Sequence, residues 1–306
     1  MKRIIVLLIS ILSLVNAKDI QVLETMLIQS SSQGERYFPS FTKDGQYILF
    51  TSSGYNGLWS YDLSNKKTIK LTETTGAGYN PVSTANGIII YRQDEYVNNL
   101  KYTSYLSLDS KSGEETLISN PGRFVSTPSL TGGQLHFMEN NEVKFKRIDN
   151  NNSVTSISTD IALLNDNLKI QLIINGEVTI LSPKGKGNYI WAELSPSKDQ
   201  ILFTKTGDGT YICNLNGEII TELGHASAPK WSSDGQFILY MKDFDDGEQY
   251  TDSEIWVSSS GGEKSWKITD TPDRIEMYPQ WSPDNLHVVY QSDRGEIYLT
   301  EIRIVE

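Results

Sequence analysis

Short apolar runs separated by polar turns recur along this chain in a nearly repeated phrase. The four clearest copies occupy residues 39–50, 192–203, 229–240 and 279–290. In the first copy an apolar strand ends at Phe41, Asp44 and Gly45 suit a tight turn, and residues 47–50 form a second apolar strand. A third, alternating segment follows each copy, and often a fourth that ends in Leu-Thr or Ile-Thr. Four short antiparallel strands per repeat predict an all-β fold built from the blades of a β-propeller.

The spacing of the repeats predicts seven blades. Most successive starts lie roughly 40–50 residues apart, as expected for four-stranded blades; these starts are Pro39, Pro81 and Pro128, then Ala192, Pro229 and Pro279. The interval from Pro128 to Ala192 is too long for one blade and contains two apolar segments, 134–146 and 161–172. We interpret these segments as two compressed blades, the second with a short or missing first strand. Six blades are the alternative, if the weak copy merges with its neighbour.

The two ends of the repeat region predict how the ring closes. The last repeat has strands near 286–291 and 296–302 but no separate fourth strand. Residues 19–29 alternate between apolar and polar positions and belong to no repeat of their own. We therefore predict that residues 19–29 supply the outer strand of the last blade, since closing the ring this way removes an exposed sheet edge.

The N-terminus has the pattern of a targeting segment. Lys2 and Arg3 precede an apolar run over 4–15, which is shorter than the roughly 20 residues of a spanning helix. We expect cleavage after Ala17, an exported chain that is periplasmic or secreted, and no transmembrane segment in the mature chain. The predicted organisation is thus a signal peptide over 1–17 and one propeller domain over 18–306, which we expect to be monomeric.

Charge and residue counts exclude several function classes. The formal net charge of −11 argues against a nucleic-acid partner, because phosphate contacts need clusters of Lys and Arg. The single cysteine, Cys213, permits no intrachain disulfide and is expected to be a buried core residue. The three histidines show no metal-ligand spacing, and no Gly-x-Ser-x-Gly motif is present. We therefore expect no cofactor and no catalytic residue.

The repeated phrase also resembles a known family. Pro279-x-Trp281-Ser-Pro-Asp284, the apolar strand after it, the loop 292–295 and the Glu-Ile-Tyr at 296–298 are similar to the repeats of TolB-like propellers, a WD40-like group of bacterial periplasmic and secreted proteins. The resemblance is clearest over 39–72, 192–221, 229–269 and 279–299. It covers the propeller only, since residues 18–38 are too few for the N-terminal domain of TolB. It implies a propeller fold, while blades of this kind serve many roles.

Candidate binding residues lie just before the first strand of each repeat, on the face that surrounds the propeller axis. Tyr, Trp and Arg dominate binding hot spots, and the candidates are Arg36, Tyr37, Tyr79, Arg123, Tyr189, Trp191, His225 and Tyr278. One interpretation is a funnel that binds a peptide, a protein loop or a glycan. The other is that the aromatic rings only wedge between neighbouring blades.

An acidic loop at 243–254 is the densest group of carboxylates. Oxygen-rich loops can hold calcium, but the spacing here does not match an EF-hand, so a solvated hairpin loop is favoured over a metal site. The carboxylates are Asp243, Asp245, Asp246, Asp252 and Glu254.

Two functions follow from these patterns. The first is an exported, non-catalytic propeller that binds a protein or a cell-envelope component as a scaffold. The alternative is a glycan-active lyase or hydrolase with carboxylates in the channel, because the spacing of paired acids in space cannot be read from a sequence.

Overall fold

The protein is a seven-bladed β-propeller, as the repeats predict. The computed structural model describes residues 18–140, 142–148 and 161–305, so the predicted signal peptide lies outside the described residues. In the described part of the chain the strands form seven separate antiparallel sheets, and the helical content is two 3-10 turns, Ser31–Gln33 and Ser53–Tyr55. Each sheet is one blade, so the six-blade alternative is wrong.

The strands are numbered β1 to β26 along the chain, starting with β1 at Asp19–Gln29. Blade 1 contains β2 (Tyr37–Phe41), β3 (Tyr47–Thr51), β4 (Asn56–Asp62) and β5 (Lys67–Thr75). Blade 2 contains β6 (Val82–Ser83), β7 (Ile88–Val97), β8 (Leu100–Asp109) and β9 (Glu115–Leu117). Blade 3 contains β10 (Ser129–Thr131), β11 (Gln134–Glu139) and β12 (Glu142–Arg147), and blade 4 contains β13 (Ile161–Asp166), β14 (Lys169–Ile174) and β15 (Glu177–Leu181).

The last three blades have four strands each. Blade 5 contains β16 (Tyr189–Leu194), β17 (Gln200–Lys205), β18 (Gly209–Asn214) and β19 (Ile219–Gly224). Blade 6 contains β20 (Ser227–Trp231), β21 (Phe237–Asp245), β22 (Tyr250–Ser259) and β23 (Ser265–Lys267). Blade 7 contains β24 (Glu276–Trp281), β25 (His287–Ser292) and β26 (Ile297–Val305), with β1 as its outermost strand.

The two blades of the weak middle region are both present, each with three strands among the described residues. In blade 4, Asn165 at the end of β13 accepts a hydrogen bond from the backbone N–H of Ala192 at 3.0 Å. Gln291, in the second strand of blade 7, accepts from Phe38 in the next blade in the same way, at 2.6 Å. Strand β13 therefore has the position of a second strand, and the predicted short or missing first strand of this repeat falls on residues 149–160, outside the described residues.

The N-terminal strand closes the ring. Strand β1 pairs with β26 in antiparallel register from Asp19 opposite Val305 to Gln29 opposite Ile297, which confirms the predicted closing strand. Asp19 also reaches blade 6, where its Oδ1 accepts from Trp266 Nε1 at 2.5 Å and from Lys264 Nζ at 3.2 Å. The hydrogen bond from Trp266, with the one from Lys264, lowers the pKa of Asp19.

The repeated polar turn is part of the scaffold. In blade 1, Thr42 Oγ1 donates to Asp44 at 2.6 Å, and Asp44 accepts from the backbone N–H of Gln46 at 3.0 Å. Blade 6 repeats this geometry, with Ser232 donating to Asp234 at 2.6 Å. These turns also join neighbouring blades, because Ser233 N–H donates to Asn285 of blade 7 at 2.8 Å. The Ser/Thr and Asp of the phrase thus hold the turns of one face together.

The closing strand generates a prediction about stability. Ile20, 8% exposed, packs in a cluster with Phe237 and Ile302, whereas Val22 on the same strand is 42% exposed. We expect Ile20→Ala to lower the free energy of unfolding by about 2 kcal/mol, because it leaves a cavity between blades. Val22→Ala is the matched control, with an expected change of about 0.5 kcal/mol or less. Urea unfolding curves would test this, and equal effects would contradict the packing role of β1.

The buried thiol generates a second prediction. Cys213 is fully buried, as predicted, and burial raises its pKa to about 12. The thiol is therefore protonated in the folded protein at pH 8, although a free thiol titrates near that pH. We expect labelling by a thiol reagent at pH 8 to be limited by unfolding and to become rapid in urea. Fast stoichiometric labelling of the native protein would contradict this expectation.

Candidate functional site

The candidate residues before each innermost strand gather on one face of the propeller, which we call the upper face. Because antiparallel strands alternate in direction, the loop that leads into each innermost strand and the turn between the second and third strands emerge at the same end of a blade. The polar Ser/Thr-Asp turns emerge at the opposite end, on the lower face. The upper face is therefore where the repeats differ.

At the start of the innermost strand, five blades place one residue in an uncommon backbone conformation. The strand pairing shifts at this point in blades 1, 5, 6 and 7. The residue there has a φ near +50° in five blades, and these residues are Phe38, Asn80, Trp191, Ala228 and Tyr278. Four of them precede a proline, which itself disfavours helical backbone. A bulge of this kind re-aims a side chain out of the normal alternation of a strand.

Four aromatic rings form a continuous row across blades 2, 1 and 7, which we call the aromatic row: Tyr79, Tyr55, Phe38 and Tyr278. Tyr79 meets Tyr55 edge to face at 5.0 Å between ring centroids. Tyr55 stacks on Phe38 at 4.8 Å, and Phe38 meets Tyr278 of the neighbouring blade at 4.9 Å. These separations lie in the range of favourable aromatic pairs.

Each end of the aromatic row contacts a projecting hairpin. At one end the Arg92 guanidinium, from β7, lies 4.2 Å from the centre of the Tyr79 ring. At the other end Tyr278 lies next to Tyr250, from β22. Burial raises the pKa of Tyr278, and the neighbouring Tyr250 raises it further. Burial also raises the pKa of Tyr55, so both phenols stay neutral at physiological pH.

The two hairpins are the blade-2 hairpin, β7 and β8, and the blade-6 hairpin, β21 and β22. Strands β7 and β8 have ten residues each, and β21 and β22 have nine and ten, whereas β17 and β18 of blade 5 have six each. Because blades 6, 7, 1 and 2 are consecutive in the closed ring, the hairpins stand at the two ends of the aromatic row. The upper face is therefore an open trough with an aromatic floor.

Several predicted site residues belong to this trough and others lie beside it. Tyr79 and Tyr278 are members of the aromatic row. Tyr37 donates to Glu35 at 2.8 Å, and the Arg36 guanidinium lies 4.1 Å from the centre of the Trp59 ring, so both are directed away from the row. His225 contacts the blade-6 hairpin, with Nε2 3.2 Å from Asp243 Oδ1.

The remaining predicted residues lie outside the aromatic row. Tyr189 is only 2% exposed, and its hydroxyl donates to the carbonyl of Gly185 at 2.5 Å, which makes it a core residue of blade 5. Trp191 occupies the bulge position and packs against the buried cluster that contains Ala228. Arg123 is exposed beside the blade-2 hairpin, 5.8 Å from the centre of the Tyr102 ring.

Sequence reasoning missed Phe38 and Tyr55, which occupy the middle of the aromatic row. Phe38 carried a usable signal, because it directly precedes Pro39 just as Tyr278 directly precedes Pro279. Tyr55 lies in a 3-10 turn between β3 and β4, and nothing in its local sequence distinguishes it.

The carboxylates of the acidic loop do not converge on one point, and most of them have partners of their own. Asp245 accepts from the N–H of Gly247 at 2.9 Å, and Asp246 accepts from two turn amides at 3.0 Å each. Glu254 pairs with Lys267 at 3.0 Å, on the side of the blade, while Asp252 is exposed. Within the described residues no three His, Cys, Asp or Glu side chains are grouped closely enough to hold a metal ion. The histidines lie apart, since His136 is in blade 3 and His287 is on the lower face near Asp284.

A buried acid lies near Tyr278, at the blade-7 end of the aromatic row. Glu276 is 0% exposed, and its Oε1 accepts from Thr271 at 2.7 Å and from Arg274 Nε at 2.8 Å. Its Oε2 has no hydrogen-bond partner among the described residues. Burial raises the pKa of Glu276, although Thr271 and Arg274 act in the opposite direction. We interpret Glu276 as a buried brace for the loop that leads to Tyr278.

Two clefts of the described chain lie away from the upper face. One of about 180 Å³ lies between the lower-face turns of blades 1 and 7, beside Gly45 and Pro283. Another of about 710 Å³ lies between the outer parts of blades 1 and 2, beside Ile69 and Leu108.

Comparison with known proteins finds similar folds among solved structures. No family model and no curated protein sequence matches the chain. A similar solved structure is the β-propeller domain of Cps50 (Swd1) from Myceliophteria thermophila, 11% identical, with a TM-score of 0.59 over 92% of this chain and 99% of that chain. TolB from Acinetobacter baumannii is 16% identical, with a TM-score of 0.47 over 89% of this chain and 56% of that chain. An oligogalacturonate lyase from Vibrio parahaemolyticus is 11% identical, with a TM-score of 0.45 over 87% of this chain and 78% of that chain.

The similarity to the Cps50 domain shows the propeller fold alone. The described ranges also contain no helix with the length and apolar character that crossing a bilayer requires.

The raised pKa of Glu276 generates a prediction. A carboxyl whose pKa is higher in the folded than in the unfolded state stabilises the fold most below its unfolded pKa, about 4.3, and less as pH rises through the folded pKa. Glu276→Gln keeps the shape and removes the titration. We therefore expect the stability of this variant to rise relative to wild type between pH 4 and pH 7.

Unfolding curves of both proteins across this pH range provide the measurement. The difference between their free energies of unfolding removes the contribution of the other titrating groups, which both proteins share. A relative loss of stability in the variant as pH rises would show that Arg274, and not burial, dominates at this site.

Proposed function

We propose that this protein is an exported, non-catalytic propeller that binds a protein or cell-envelope component on its upper face. The observation that carries the proposal is the aromatic row, which runs from the blade-2 hairpin to the blade-6 hairpin. Aromatic side chains and Arg are the residues that contribute most to protein interfaces. The apolar run and the cleavage pattern in residues 1–17 support the export of the chain.

The backbone of the bulge does not explain why the aromatic residues are there. Asn80 and Ala228 adopt the same left-handed conformation as Phe38 and Tyr278, so the conformation itself accepts a small or a polar side chain. The backbone conformation therefore does not require the aromatic side chains of blades 1 and 7, and we attribute them to the contacts that they make. Those contacts are partly with each other, and because the two rings are only half-buried, part of each stays accessible to a partner.

The arrangement of the rings supports a protein ligand over a sugar ligand. A pyranose ring binds to aromatic residues by lying on an open ring face. Phe38 and Tyr55 each cover one face of the other at 4.8 Å, and the Arg92 guanidinium covers one face of Tyr79, so these faces are closed to a sugar. The accessible parts of these half-buried rings suit contact with the side chains and amide groups of a polypeptide.

Site-specific photo-crosslinking in the native host tests the proposal. A photoreactive residue at Ser53, which is exposed beside Tyr55 on the upper face, should capture a defined partner. The same residue at Ser64, which is exposed between β4 and β5 on the lower face, is the matched control within the same blade. We expect the double variant Tyr55→Ala/Tyr278→Ala to lose the Ser53 product by about tenfold or more, because each removed ring is a hot-spot contact.

Equal capture at both positions, or capture that survives the loss of both rings, would contradict the proposed site. Circular dichroism and thermal melting of the double variant must show a folded protein for the comparison to count. Purified wild-type protein should also be assayed for lyase and hydrolase activity on oligosaccharides. Turnover that disappears in the double variant would replace the binding function by a catalytic one.

A further inference from the structure

The two hairpins at the ends of the aromatic row differ sharply in charge. The blade-6 hairpin contains Lys242 as its one basic residue, and this ammonium group lies 4.7 Å from the centre of the Trp256 ring. Four exposed carboxylates surround its tip, and they are Asp245, Asp246, Glu248 and Asp252. Hydrogen bonds from the turn amides lower the pKa of Asp246, which keeps this group ionised at mildly acidic pH. The tip is therefore strongly anionic.

The same tip carries apolar surface. Phe244 is 53% exposed, and its ring meets His225 edge to face at 5.7 Å. Tyr250 is exposed on the paired strand and lies next to Tyr278 of the aromatic row. An occupant at this end would contact an aromatic floor and carboxylates together, which is an environment suited to the long apolar stems and cationic ends of Lys and Arg.

The blade-2 hairpin carries exposed apolar side chains on both sides of its uncharged Asn98-Asn99 turn. Tyr96 is 67% exposed, and Val97 and Leu100 are exposed on either side of the turn. The charged residues below the tip balance, since Asp94 accepts from Arg92 Nε at 3.1 Å and lies 3.8 Å from Lys101, and the exposed Glu95 offsets the second positive charge. This end of the trough therefore offers apolar contacts and little net charge.

We infer that the partner presents an extended segment with a definite polarity, apolar at the blade-2 hairpin and cationic at the blade-6 hairpin. The segment lies along the aromatic row between the hairpins. The inference rests on the proposed function and adds the chemistry of the ligand. It follows from charge complementarity: a segment of the opposite polarity would place its Lys or Arg at the apolar tip and its apolar residues among four carboxylates.

A random peptide library displayed on phage is the probe for this inference. The library would be selected on the immobilised wild-type protein and counter-selected on Tyr55→Ala/Tyr278→Ala. We expect the enriched peptides to combine an apolar end with a Lys- or Arg-containing end. Their binding should weaken as salt concentration rises, because exposed charges are screened.

Charge reversal at the blade-6 hairpin gives the sharper measurement. We expect Asp245→Lys/Asp246→Lys to weaken the best synthetic peptide roughly tenfold in fluorescence anisotropy, and to improve a peptide whose basic residues are replaced by Glu. Glu177→Lys/Glu222→Lys makes the same change in net charge at exposed outer strands of blades 4 and 5 and should leave both affinities within about twofold. A photoreactive group at the apolar end of the peptide should label residues 96–100.

The outcomes separate the inference from the function on which it rests. Peptides that need the aromatic row but lack a basic end, or that ignore the charge reversal, would overturn the inference and leave the binding function intact. A second outcome would have the same meaning: the library yields no peptide that depends on the aromatic row, while the crosslink at Ser53 in the host does depend on it. The partner would then present a folded surface and not an extended segment. Failure of both experiments would overturn both.

Discussion

The structure depends on the fact that every blade has two apolar faces, and only a closed ring covers both. Blades 1 and 7 meet at the seam, where Ile48 and Phe50 pack against Val289 and Ile297 in one buried cluster. Strand β1 completes blade 7 and secures this seam, because the start of the chain is held in the same sheet as its end. Pairing of β1 with β26 also covers a sheet edge that would otherwise be available to another chain.

Closure of the ring in turn fixes the geometry of the upper face. Gly78 shows how closely adjacent blades approach, since a Cβ atom at this position would lie 2.1 Å from the Thr51 side chain of blade 1. Only glycine permits that approach, and it places the next residue, Tyr79, against Tyr55. Gln291 similarly holds the N–H of Phe38 from the neighbouring blade. The aromatic row is thus positioned by contacts between blades, and no single blade could form it.

This origin explains what the sequence could predict. Repeat spacing, turn residues and an unpaired alternating segment are local or periodic signals, and they were sufficient for seven blades and for the closing strand. The bulge is marked in the sequence only by the proline that follows it in blades 1, 2, 6 and 7, and one extra residue reverses which side chains face which way. Tyr37 was therefore a candidate where its neighbour Phe38 is the residue in the row, and Tyr189 was a candidate although it is buried. Tyr55 could not be predicted because it joins the row only through contacts with other loops.

The two sequence interpretations of the aromatic residues are compatible in the folded protein. A ring can wedge between blades with one edge and offer the opposite edge to a partner, and the half-buried Phe38, Tyr55, Tyr79 and Tyr278 are placed to do both. Such a surface is rigid before binding, because each ring is already fixed by its neighbours and little side-chain entropy remains to be lost. The hairpins are different, since their tips have exposed side chains and fewer neighbours. A rigid aromatic floor between two chemically unlike hairpins would supply affinity at its centre and direction at its ends.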